Sequence, residues 1–219
     1  MNHEAVFFDM DGVTVDTAGV WAEVEREHVL PNAVEDNTPE VRAEALEAIR
    51  GQNVNDAYDT LVSMPNVSLA VDREGFDALY VEKGDYVYSD ARLMDGYREL
   101  TSSLSADGRR VGLVSASRRE WVEIVLDRFD LHGSFDIVVS ADDVDGPSKP
   151  DPTTYEQAAA EVGVAPGRSV AVEDTHHGVK AAVGAGMRCV AYGTDIPEAD
   201  ATVSEPDELR RMLLSPRVQ

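Results

Sequence analysis

Five short apolar segments rich in β-branched residues recur along the chain, at residues 5–9, 111–115, 136–140, 169–173 and 188–192. Most carry apolar residues on both alternating faces, as strands of a parallel sheet covered on two sides by helices must. Helical periodicity fills the intervals at 96–106, 119–129, 153–162 and 178–185, and a last helix is expected at 205–214. Strand alternating with helix confines the chain to the α/β class, as a Rossmann-like doubly wound parallel sheet. Residues 17–88 break this rhythm. They contain helix-like stretches at 20–30, 39–50, 54–62 and 73–87 and no convincing buried strand, so they read as an all-helical cap inserted after the first strand. The expected division is a core of residues 1–16 and 89–219 and a cap of residues 17–88, which suits a chain of 219 residues.

Charge limits what such a fold can bind. Forty-two acids against nineteen bases give a formal net charge of −23, and of the bases only Lys83, Lys149 and Lys180 are lysines. The acids are dispersed rather than gathered in a tail, and a surface of this sign repels nucleic acid and anionic membranes. Dispersed acidity with few lysines resembles proteins of halophilic microbes, and a haloarchaeal source is expected. No apolar run is long enough to span a bilayer, and the first residues show no basic region of a signal peptide. With a single cysteine, Cys189, a reducing cytoplasmic location is expected.

Residues suited to chemistry gather at the ends of the expected strands, where ligands bind in open parallel sheets. The first strand runs into Asp9-Met10-Asp11-Gly12-Val13, continuing to Asp16. Two carboxylates two residues apart could share a hard cation, or one could attack while the other moves protons. The same spacing would also suit a capped turn, and Asp143-Val144-Asp145-Gly146 repeats it after another strand. Ser115, followed by Ala116 and Ser117, offers a hydroxyl and turn N–H groups to a phosphate, or simply caps the next helix. Lys149, between Ser148 and Pro150, is a compact ammonium suited to lie between carboxylates and a phosphate, or else a solvated surface charge. Glu173 and Asp174 end the fourth strand and could complete a magnesium site. The adjacent His176 and His177 lack the spacing of a transition-metal site.

Taken together, Asp9-x-Asp11-Gly12-Val13 with Asp16, then Ser115, Lys149-Pro150 and Glu173-Asp174, resemble in order and type the motifs of the haloacid dehalogenase superfamily, phosphatase branch. With the helical insertion, the resemblance spans essentially the whole chain. It implies Asp9 as nucleophile and Asp11 as acid and base. It also implies phosphoryl oxygens bound at Ser115, Ala116 and Lys149, and Mg²⁺ held by Asp9, the Asp11 carbonyl and Asp174, with Glu173 nearby. Dehalogenases of the same fold need no second aspartate at position 11. Sugar phosphomutases of the β-phosphoglucomutase type carry a cap histidine shortly after the Asp16 position, and residues 17–21 here have none. The stretch from Ile49 to Asp56 is similar to the specificity loops of phosphoglycolate phosphatases and β-phosphoglucomutases, with Arg50 as a candidate substrate contact or an exposed helix-end arginine. The expected activity is magnesium-dependent hydrolysis of a small phosphorylated metabolite, 2-phosphoglycolate foremost. A phosphomutase or a non-catalytic phosphate-binding relative is the alternative. Neither nucleic acid nor membrane is expected as a partner, and the chain is expected to be a monomer or weak dimer.

Overall fold

A computed structural model describes residues 3–35, 38–50 and 52–214. Gly51 of the cap loop and both chain termini lie outside the described residues. Six parallel strands form one sheet in the order β3-β2-β1-β4-β5-β6. They are β1 (Ala5–Phe8), β2 (Arg110–Val114), β3 (Ile137–Val139), β4 (Ser169–Glu173), β5 (Arg188–Tyr192) and β6 (Ala201–Val203). The order reverses at β1, which pairs with β2 on one side and β4 on the other, and this reversal opens a crevice at their carboxyl ends.

The alternation of side chains along β1 explains the two layers. Val6 and Phe8 enter the larger core with Tyr97, Leu100 and Leu104 of α6 (Tyr97–Ala106), Val122 and Val125 of α7 (Arg119–Arg128), and Leu209 of α10 (Pro206–Leu213). Ala5 and Phe7 face the other side, against Tyr155 and Ala158 of α8 (Thr153–Val162) and Val179 and Ala182 of α9 (His176–Gly184). Central strands buried on both faces cannot slip in register without exposing one of these sets.

Two differences from the sequence expectation have local causes. β3 is shorter than expected because the Asp136 carboxylate accepts from the Val111 N–H at 2.9 Å, while Asp143 accepts from the Ser140 N–H at 2.7 Å, so side chains terminate both ends of the ladder. The sixth strand has only three residues, too few for an alternating pattern to register.

Between β1 and β2 the described elements are helical. α1 (Ala18–Val24) runs through a π turn (Glu25–Val29) into α2 (Leu30–Ala33), followed by α3 (Pro39–Ile49), α4 (Val54–Ser63) and α5 (Arg73–Asp90). The expected single helix at 20–30 is thus longer and interrupted. Pro31 lacks an N–H, which leaves the preceding turn without one α-helical donor, and the wide turn closes through Leu30 N–H to the Glu25 carbonyl. Side chains of Thr38, Asn53 and Asp72 accept from the first-turn N–H groups of α3, α4 and α5, which fixes where these helices begin. Isolated bridges aside, no strand lies between residues 9 and 109 among the described residues. No described helix is long and apolar enough to cross a membrane.

Candidate active site

The loop after β1 leaves the sheet at the reversal point. Its tight turn requires a glycine, since Gly12 has φ 84°, and Thr14 Oγ1 donates to the Asp9 carbonyl at 2.7 Å to fix it. Asp9 and Asp11 therefore project into the crevice, where they line a cavity of about 380 Å³ with Ala116, Ser117, Lys149, Asp174 and residues of the helical segment.

Lys149 is buried and central. Its Nζ donates to Asp9 Oδ1 at 2.5 Å, to Glu173 Oε1 at 2.6 Å and to the Val114 carbonyl at 2.8 Å. Burial works against its charge, but the attraction of Asp9 and Glu173 prevails and holds its pKa above the ordinary lysine value. Glu173 is itself buried and also accepts from Tyr155 Oη at 2.5 Å. Burial pushes its carboxyl to about 7 despite Lys149. Its close packing depends on Gly178, where a Cβ would overlap the Glu173 carboxylate.

Carboxylate oxygens of Asp9, Glu173 and Asp174 converge within 4.8 Å of one another. Asp174 Oδ1 is buried with no hydrogen-bond partner, and burial together with the charges of Asp9 and Glu173 drives its pKa well upward. Oxygen donors crowded together, one of them orphaned, fit a hard divalent cation such as Mg²⁺.

Asp11 stands in a different environment. It accepts from Thr17 Oγ1 at 2.6 Å, Ser117 Oγ at 2.7 Å and Tyr88 Oη at 3.2 Å, and it has no cationic partner among the described residues. Burial, aided by the charge of Asp9, raises its pKa to about 6. Two carboxyls two residues apart thus stand in different surroundings, one held by an ammonium and the other ready to carry a proton.

The remaining sequence candidates separate by position. Ser115 is buried, and its Oγ accepts from the Ser117 N–H at 3.0 Å, so its hydroxyl shapes the turn while Ala116 and Ser117 reach the cavity wall. Arg50 lines the cavity, but its side chain is 66% exposed and lies 3.9 Å from Glu47. Asp16 is exposed. The second acidic turn resolves as structural: Asp143 caps its own 3₁₀ turn and pairs with Arg119, and Asp145 is exposed. His177 Nδ1 meets the Arg50 carbonyl at 2.9 Å and its Nε2 meets Gln52 Nε2 at 3.3 Å, a contact between α9 and the helical segment. Thr17, Tyr88 and Tyr155 were not legible as site residues. Their types are ordinary: Thr17 reaches Asp11 through the turn after β1, and Tyr88 and Tyr155 reach Asp11 and Glu173 through contacts between elements. On α1, Trp21 and Ala22 face the cavity.

The chain's similarities agree with this geometry. A family model described as haloacid dehalogenase-like hydrolase matches residues 3–186. The chain is 31% identical over 195 residues to hexitol phosphatase B of Escherichia coli (strain K12), covering 89% of this chain and 85% of that one. It is 26% identical to beta-phosphoglucomutase of Bacillus subtilis (strain 168), covering 96% and 93%. In three dimensions it is similar to CbbY of Rhodobacter sphaeroides, solved in complex with phosphate, with a TM-score of 0.76, 23% identity and coverage of 94% and 96%. The chain is an enzyme of the haloacid dehalogenase-like hydrolase family, in its branch of phosphatases and phosphomutases.

Proposed function

We propose that the protein is a magnesium-dependent phosphatase that hydrolyses a small phosphorylated metabolite through an aspartyl-phosphate on Asp9. The observation that carries this reading is the contrast between the paired carboxyls, with Asp9 held by Lys149 at 2.5 Å and Asp11 raised to about 6 among hydroxyl donors. Asp9 Oδ attacks phosphorus, and the bond to the leaving oxygen breaks as Asp11 donates its proton to that oxygen. Asp11, now ionised, takes a proton from a water that attacks the aspartyl-phosphate, which releases inorganic phosphate and restores Asp9. Lys149 and the turn at Ala116–Ser117 receive the phosphoryl oxygens, and Lys149 orients Asp9. Asp9, Asp174 and the Asp11 carbonyl would hold Mg²⁺, with Glu173 beside them. The ion would offset negative charge as two anions approach. The helical segment closes the cavity from the other side, excludes bulk water and selects the leaving group. 2-Phosphoglycolate, the substrate expected from the sequence, is one member of the panel that tests this reading.

The test is phosphate release from a panel of phosphoesters in high salt, with and without magnesium, for wild type and Asp9→Asn. Magnesium-dependent release that falls by ~10³-fold or more in a folded Asp9→Asn variant is expected. Equal inactivity of the two proteins would mean a phosphate-binding relative. Conversion of a sugar 1-phosphate to its 6-phosphate without net release would mean a mutase.

A further inference from the structure

The helical segment brings two carboxylates to the cavity that the hydrolytic steps leave unused: Asp56, which accepts from the Asn53 side-chain amide at 2.7 Å, and Glu25, which is less well supplied. Glu25 begins the π turn and lines the cavity beside Trp21, Tyr80 and Asn53. Tyr80 Oη donates to its Oε1 at 3.1 Å, and no other side chain donates to the carboxylate among the described residues. Arg50 attracts it, yet the guanidinium is largely exposed and shared with Glu47. Burial therefore prevails over the Tyr80 hydrogen bond and the Arg50 charge, and lifts the Glu25 carboxyl to about 7. This is a carboxylate under-supplied with donors at the wall of a ligand-sized space.

Its surroundings narrow what can supply them. Trp21 packs against Trp121 at 5.2 Å and against Tyr80 at 5.6 Å between ring centroids, so this part of the wall is aromatic. The Trp21 Nε1–H is already given to Tyr88 Oη at 3.1 Å, so the indole offers a ligand apolar surface and no free donor. An ionised carboxylate only accepts hydrogen bonds, and it repels a second carboxylate brought against it. A chain of C–H and O–H groups satisfies both features, with hydroxyls for Glu25 and carbon edges for the rings. The cavity, about 380 Å³, is at the small end of ligand sites and admits a compact chain.

We infer that Glu25 sets leaving-group specificity, favouring phosphate esters of neutral polyhydroxyl compounds and rejecting esters that carry a carboxylate, 2-phosphoglycolate included. The inference rests on the phosphatase reading. It is tested by kcat/KM with Mg²⁺ in high salt at pH 8 on glycerol phosphate, a six-carbon polyol phosphate, phosphoethanolamine, 2-phosphoglycolate and para-nitrophenyl phosphate. The wild type is expected to favour the better polyol ester over 2-phosphoglycolate by about tenfold or more. Glu25→Gln is expected to shrink that ratio by about tenfold, mainly through KM, because a neutral amide no longer repels the carboxylate. Glu25→Asp keeps the charge but shortens its reach, and is expected to fall between the two. A ratio unmoved in both variants overturns the inference, as does wild-type preference for 2-phosphoglycolate or phosphoethanolamine. Hydrolysis of para-nitrophenyl phosphate in those cases leaves the phosphatase reading standing. No turnover of any ester brings down that reading and this inference with it.

Discussion

Asp9 and Asp11 stand in different surroundings, although the chain places them two residues apart. Lys149 neutralises the first, and three hydroxyls hold the second without neutralising it. The Asp11 pKa of about 6 exceeds its ordinary 3.8, so the folded protein retains this proton into the pH range where an ordinary aspartate has lost it. The sign for stability follows: the contribution of Asp11 is full below about 3.8 and is lost as pH rises through about 6. In the proposed mechanism the retained proton serves the leaving oxygen. Asp11→Asn is therefore expected to lower kcat by ~10²–10⁴ on alkyl phosphates. The loss should be clearly smaller on para-nitrophenyl phosphate, whose phenolate departs without a proton. Comparing kcat for the two ester types checks this, and equal losses would deny Asp11 the role of acid. The sequence displays both aspartates but not the hydroxyls that tune the second. Tyr88 lies 77 residues away from Asp11, and no local pattern ties them.

At the scale of elements, the site depends on how closely α9 approaches the end of β4. Thr175 Oγ1 accepts from the Gly178 N–H at 3.1 Å and fixes the first turn of α9 directly over Glu173. Gly178→Ala would drive a methyl group into the Glu173 carboxylate, which Lys149 and Tyr155 hold in place. A destabilisation of about 1–3 kcal/mol is expected, with lost activity, since the displaced carboxylate is the one that positions Lys149. Thermal denaturation measures the first and phosphate release the second. An unchanged melting temperature would show that the two elements do not pack as described. The sequence places Gly178 at the start of an expected helix but shows neither its packing role nor its partner, Glu173. The π turn was also hidden, because helical periodicity over a few residues does not distinguish 3.6 from a wider local repeat.

For the whole molecule, the net charge of −23 sets the dominant long-range term. Most surface ion pairs are exposed, such as Arg26–Glu27 and Arg168–Glu4, and contribute little against the excess of like charge. We propose that the protein is adapted to concentrated salt. Raising KCl from about 0.1 M, where the screening length is ~10 Å, to above 1 M, where it is ~3 Å, is expected to raise the melting temperature and sustain activity. Full stability at low salt would remove the halophilic proposal while leaving the catalytic one intact.

The sequence by itself determined the α/β class, the five principal strands and the order of the four candidate motifs, because short apolar β-branched runs and residues at strand ends are local patterns. It also marked residues 17–88 as helical. Tertiary structure decided which acidic turn faces the crevice, for Asp143 is consumed by Ser140 and Arg119 while Asp9 meets Lys149, 140 residues away. It likewise brought Ser117 to Asp11 beside Thr17 and Tyr88, while the Ser115 hydroxyl stays in its own turn. It brought Glu25 to the cavity wall, and it recruited the three-residue β6 as the edge of the sheet. Burial and proximity across the fold, not residue type, fix these assignments, since a carboxylate's charge and partners depend on what surrounds it.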